Sequence, residues 1–166
     1  MRRSGDGGFG DTQALEQLAR AAAERGVDAL AISPLHAMFS ADTERYSPYS
    51  PSSRLFLNSL YASPGCILGE RALRSAIESS GLADELQALE QQSLIDWPAA
   101  AKAKQRLLRA LYEDFRQGEH PQQADFLSFR QAGGEALENH CRFEAVQAER
   151  AAHGESLDWR QWPEDW

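Results

Sequence analysis

Cysteine is scarce in this chain: Cys66 and Cys141 are the only two, and they stand too far apart for a CxxC pair. They form no redox or metal-knuckle motif. The expectation is two buried or half-buried thiols in a reducing compartment. The four histidines, His36, His120, His140 and His153, show no HExxH spacing, so no zinc site is expected. No apolar run approaches the length of a membrane span. The basic start MRRSGDGGFGD lacks the apolar stretch of a secretory signal, which points to a soluble cytoplasmic protein. Basic residues are the minority, 17 Lys+Arg against 25 Asp+Glu, for a formal net charge of −8. That balance disfavours duplex nucleic acid, which needs a basic face to displace counterions, but it allows a neutral substrate such as a sugar. The glycine-rich opening SGDGGFG lacks the Lys-Ser/Thr of a phosphate loop and has no strand before it, so neither a nucleotide nor another cofactor is expected. It reads as a flexible turn whose exposed amides could face a ligand. There is no internal repeat and no coiled-coil heptad.

The chain does have a core's worth of apolar residues, 42% of 166, which suits one domain or a piece of a larger one. Asp11 or Thr12 can cap a first helix, with Leu15, Leu18, Ala19, Ala22 and Ala23 along one stripe and Gly26 as its stop. Residues 27–32, VDALAI, follow at once and read as a short buried strand. Helix, glycine, buried strand, then a loop at the strand's carboxyl end is the grammar of a parallel sheet or barrel, where ligands bind at that end. The loop, residues 33–63, runs to about thirty residues, a length that is usually functional or disordered. Tyr46, Tyr49, Leu55, Phe56, Leu57, Leu60 and Tyr61 give it too much apolar mass for a solvated linker. A short extended segment fits 56–61.

After Pro64 the pattern is helical. Leu68, Ala72, Leu73, Ala76 and Ile77 lead to a stop at Gly81, and Leu82, Leu86 and Leu89 mark a short helix. Asp96 caps the longest segment, with Pro98 in its first turn and Gly118 near its end. Helices are expected over 124–132 and 135–152, before a tryptophan-rich tail. The cluster Lys102, Lys104, Arg106 and Arg109 reads as solvated surface. Either this half is a helical insertion beside a barrel, or the strand at 27–32 is absent and the protein is a helical bundle.

The strings ISPLHA, then YSPYSPSSR, then LN, resemble the amylomaltase, or disproportionating-enzyme, family of 4-alpha-glucanotransferases. GDGGFGD is similar to that family's first loop, and WPAAAKAKQRLLRALY and the closing WRQWPE are similar to its helical subdomain, so the likeness runs from about Gly5 onward. It implies an α/β fold: a partial TIM (β/α)8 barrel over residues 1–63, with a large, mostly α-helical insertion subdomain over 64–166. It implies transfer of α-1,4-glucan segments between maltodextrins by a retaining double displacement, with an Asp nucleophile, a Glu acid/base and a second stabilising Asp. The family's carboxylate motifs, RIDH and GEDLG, are absent, so no catalytic residue is expected in this chain and it looks like an N-terminal fragment. Asp11, Asp28, Asp42 and Glu44 are not expected to act as catalytic acids.

Tyr49, in Ser47-Pro48-Tyr49, matches the family position that contacts glucose near the cleavage point. An aromatic face packs on the C–H face of a pyranose while the phenol bonds a hydroxyl, and Pro48 and Pro51 restrict the backbone on both sides. Ser47 is a second candidate contact. His36, at the end of the expected strand, and Asn58 are further candidates, with an architectural role weighing heavily for Asn58. Arg54 either meets sugar hydroxyls or, more simply, pairs with a loop carboxylate. Trp97 is expected to pack in the core, and Trp162 and Trp166 to cover partner sequence. The expected partner is an α-1,4-glucan, without nucleic acid or membrane. A non-catalytic glucan-binding or helical interaction module is the competing reading.

Overall fold

The computed structural model describes residues 2–163, so Trp166 lies outside the described residues. In chain order the elements are α1 (Thr12–Ala23), β1 (His36–Ala37), β2 (Ser53–Leu57), a 3-10 turn (Ser59–Tyr61), α2 (Pro64–Leu68), α3 (Glu70–Ser80), α4 (Ala83–Gln91), α5 (Trp97–Gln117), α6 (Gln123–Ala152) and a last 3-10 turn (Trp159–Gln161). The architecture is mostly helical with one two-stranded antiparallel sheet. No helix among the described residues is long and apolar enough to cross a membrane.

The helices begin and end where local chemistry dictates. The Asp11 carboxylate accepts from the Ala14 amide at 2.9 Å, and Asp96 does the same for Ala99 at 3.1 Å, each satisfying an amide without an intrahelical partner. Gly81 closes α3 in the left-handed region, φ 65°. The helical run 123–152 breaks at Gly134, φ 51° and ψ −148°, so α6 is two helices meeting at a glycine, in agreement with the division at 133–134 read from the pattern.

The core forms around α5. Ala100, Ala101, Ala103, Leu107 and Leu111 make its buried face, and the small alanines let α3 and α4 approach closely, with Ala76, Leu82, Leu86 and Leu89 opposite. The glycine-rich opening closes this core and is not the flexible, exposed turn expected. Phe9 is 5% exposed and Asp6 1%. Asp6 accepts from the amides of Arg3 and Gly8 at 2.7 Å each, and Glu90 of α4 accepts from the Gly7 amide at 2.9 Å. Gly8 has φ 82°, and a Cβ there would lie 2.8 Å from the Leu89 carbonyl. The turn is glycine-rich because its backbone lies against a helix backbone.

Four further expectations fail for identifiable reasons. Residues 27–32 form no strand: among the described residues no strand lies beside them, and Val27, Leu30 and Ile32 are 47%, 40% and 53% exposed. An apolar run carries strand propensity but cannot supply the neighbour that its backbone groups need. In this respect the structure follows the helical alternative, although the sheet β1–β2 departs from a plain bundle. Both cysteines are exposed, Cys66 on α2 and Cys141 on α6, and are not the buried or half-buried thiols expected. Lys104 is 3% exposed, since it shares the buried face of α5 with Ala100, Ala103 and Leu107 at helical spacing. Arg54 has no ion pair or hydrogen bond among the described residues, so the expected pairing with a loop carboxylate is absent.

Candidate functional site

The loop is pinned at both ends, which shortens its free span. β1 pairs antiparallel with β2, His36 opposite Leu57 and Ala37 opposite Ser53, so Arg54, Leu55 and Phe56 bulge between these pairs. The Asn58 amide donates to the Leu35 carbonyl at 2.9 Å and the Ser52 amide to the Ala37 carbonyl at 2.8 Å. Midway, Ser40 is held by two helices. The Glu144 carboxylate of α6 accepts from the Ser40 amide at 2.9 Å and its hydroxyl at 2.6 Å, while the Gln105 amide of α5 donates to the Ser40 carbonyl at 2.5 Å. Arg45 lies 4.0 Å from the Phe39 ring centre, which stiffens the next turn.

Between these anchors the segment 47–50 makes a tight turn, with the Ser50 amide donating to the Ser47 carbonyl at 3.1 Å. Pro48 occupies the second position, where its fixed φ suits such turns. Tyr49 at the third is 71% exposed. Beside it, Tyr46 stacks on Trp97 at 6.0 Å with the planes 11° apart. Trp97 meets Phe9 edge-on at 5.1 Å, and Phe9 meets Tyr61 at 5.4 Å. Trp97 therefore both packs on the core and faces outward.

These rings border an open cleft of about 650 Å³, within the size of small-molecule sites. Ser47, Pro48 and Tyr49 form one side, Ser33, Pro34 and Leu35 the next, and Gly10, Asp11 and Thr12 the floor with Phe9, Tyr61 and Trp97. The walls are apolar and aromatic with scattered hydroxyls. Asp11 is the carboxylate among these residues. Burial pushes its carboxyl up, but the Arg3 guanidinium at 2.7 Å and the Ala14 amide outweigh that, and the net shift is below the usual carboxylate value. A carboxylate so engaged is a helix cap and ion-pair partner.

Of the five candidate contacts, Ser47 and Tyr49 border this cleft. His36 is half-buried in β1 and Arg54 exposed in β2, both away from it. Asn58 is buried and uses its side-chain oxygen to accept from the Leu60 amide at 3.1 Å, which starts the 3-10 turn that carries Tyr61. The pattern reading missed Tyr46, Phe9 and the outward side of Trp97. The signals were present: an aromatic three residues before Tyr49, and a tryptophan between a capping Asp96 and Pro98.

The sequence profile of the family described as 4-alpha-glucanotransferase matches residues 1–166. A curated 4-alpha-glucanotransferase of Haemophilus influenzae is 25% identical over 177 residues, covering 100% of this chain and 25% of that protein. The chain thus spans about a quarter of the length of that relative. With the profile covering its whole length, the chain belongs to the 4-alpha-glucanotransferase family.

Proposed function

We infer that this chain forms one wall of the glucan-binding cleft of a 4-alpha-glucanotransferase and that Tyr49 is its principal sugar contact. The observation that carries this reading is the turn at 47–50, which leaves Tyr49 71% exposed at the rim of an aromatic cleft. A glucan offers alternate C–H faces and hydroxyl edges, and exposed rings interleaved with hydroxyls complement both. Ser47 contributes a hydroxyl. His36 and Arg54 contact the glucan farther along the chain, and Asn58 acts through the turn it starts.

The reaction follows from the family: a retaining double displacement that moves α-1,4-glucan segments between maltodextrins in the cytoplasm. That chemistry needs two carboxyls about 5–5.5 Å apart across the scissile bond. In this cleft the carboxylate of Asp11 is committed to Arg3 and Ala14, which supports a nucleophile and acid/base supplied by sequence beyond this quarter of the enzyme. Residues 1–63 then belong to a partial TIM barrel and 64–166 to a helical insertion. The exposed Val27, Leu30 and Ile32 leave an apolar stretch for the rest of that barrel to cover.

The test is turnover of maltotriose by the full-length gene product. Release of glucose with growth of longer glucans is expected, together with none from the 166-residue chain alone. A full-length protein that binds maltodextrin without turnover would establish the competing reading, a glucan-binding module.

A further inference from the structure

Two side-chain oxygens among the described residues are buried without a hydrogen-bond partner, Glu144 Oε1 and Gln147 Oε1, both on α6. Gln147 donates through its amide to the Leu157 carbonyl at 3.2 Å, which ties the tail to its own helix. Glu144 reaches further, since its Oε2 accepts from both the amide and the hydroxyl of Ser40, 104 residues earlier. Burying a carboxylate with one oxygen unengaged costs free energy that an apolar side chain at the same position would not. A group kept at that cost points to a role other than stability.

The contacts around Ser40 show what Glu144 holds. The loop is closed at its base, where the Ser52 amide and hydroxyl both donate to the Ala37 carbonyl, at 2.8 and 3.2 Å. Residues 38–51 project from that base and carry Tyr46 and Tyr49. Ser40 ties them to α6 and, through Gln105, to α5. Phe143, beside Glu144 on the helix, meets Phe39 edge-on at 6.3 Å and stacks on Trp162 at 5.4 Å. Phe39 in turn lies beneath the Arg45 guanidinium. The Asp42 amide donates to the Phe39 carbonyl at 3.3 Å and the Arg45 amide to the Asp42 carbonyl at 3.0 Å, so two turns lead from the clamp to Tyr46. Tyr46 stacks on Trp97, and the turn at 47–50 follows. These contacts form a continuous path from Glu144 to the turn that bears Tyr49, and a coupling measurement decides whether the path carries free energy.

We propose that Glu144 is a positioning residue for glucan binding: its paired hydrogen bonds to Ser40 hold the loop so that the Tyr49 ring stands at the cleft rim. This rests on the reading of Tyr49 as a sugar contact. Glu144 itself lies outside the residues that line the cleft. A ring already held in place loses less freedom when a sugar packs on it, so the clamp raises affinity without touching the ligand.

Hydrogen exchange and maltoheptaose titration of the 166-residue chain test the proposal together. Glu144→Ala speeds amide exchange at Ser40 and over residues 42–50, and it weakens maltoheptaose binding about fivefold. Glu144→Gln keeps an oxygen acceptor for Ser40 and restores both readings to within about twofold. In a Tyr49→Ala background, Glu144→Ala causes no further loss of affinity, because the ring it positions is gone. If Glu144→Ala does not fold, Ser40→Ala removes the hydroxyl half of the clamp and is read in the same way. Unchanged loop exchange, unchanged affinity, no rescue by Gln, or the same loss added on top of Tyr49→Ala overturns the proposal. Tyr49→Ala alone separates it from the reading beneath it. Where that variant weakens binding and Glu144→Ala does not, the positioning role alone falls; where Tyr49→Ala leaves affinity unchanged, both fall.

Discussion

Tyr49 and Lys104 stand at opposite extremes of exposure: a tyrosine left 71% in solvent and a lysine left 3% exposed. For Tyr49 the expected consequence is in binding. Tyr49→Ala weakens maltodextrin affinity about tenfold, near 1.4 kcal/mol, and Tyr49→Phe weakens it less because the ring face remains. Equilibrium titration with maltoheptaose reads both. For Lys104 the consequence is in stability. Lys104→Met raises unfolding free energy at pH 7 by roughly 1–3 kcal/mol, since an apolar side chain replaces a partly desolvated charge. The folded pKa lies below the usual 10.5, so between the two values the unfolded chain holds more protons and wild-type stability rises with pH. The advantage of the Met variant therefore shrinks as pH rises toward 10.5, which urea melts across that range would show. Asp11 has the opposite sign. Its folded pKa lies below 3.8, so its contribution is complete above that value and is lost as pH falls through the folded pKa. Asp11→Ala costs about 1–2 kcal/mol at pH 7, and in urea melts that deficit narrows on acidification.

At the scale of elements, the sequence announced what is local and missed what is relational. Asp11, Asp96 and Gly81 act on their own neighbours, and each boundary they implied is present. The apolar run 27–32 needed a partner strand, and no local pattern reveals whether one exists. The long loop looked unsupported because its supports come from far along the chain: Ser40 is held by Gln105 and Glu144, and Leu35 pairs with Asn58. Lys104 was misread because charge alone was weighed, although its spacing from Ala100 and Leu107 places it on the buried face. The glycine-rich opening illustrates the same limit, since the need for glycine at position 8 lies in Leu89. Gly8→Ala combines a positive φ with a backbone collision and should destabilise the fold by roughly 2–4 kcal/mol, measurable by denaturant unfolding. Gly26→Ala, whose Cβ would meet nothing within 4 Å, should cost less.

Across the whole molecule, one group of helices serves two surfaces. α5 provides the core face, the Trp97 ring under the cleft and the Gln105 that holds the loop. The candidate cleft was legible in the SPYS turn, whose chemistry is local. The aromatic floor beneath it was not, because Phe9, Tyr61 and Trp97 converge only after the chain has folded. The central claim is that this assembly suffices to hold a glucan without the catalytic carboxylates. Calorimetric titration of maltoheptaose into the 166-residue chain, wild type against Tyr49→Ala, tests it most directly. Saturable binding by the wild type, about tenfold weaker in the variant, is the predicted result. No saturable binding by a folded wild type, or identical affinity in the two proteins, would contradict it.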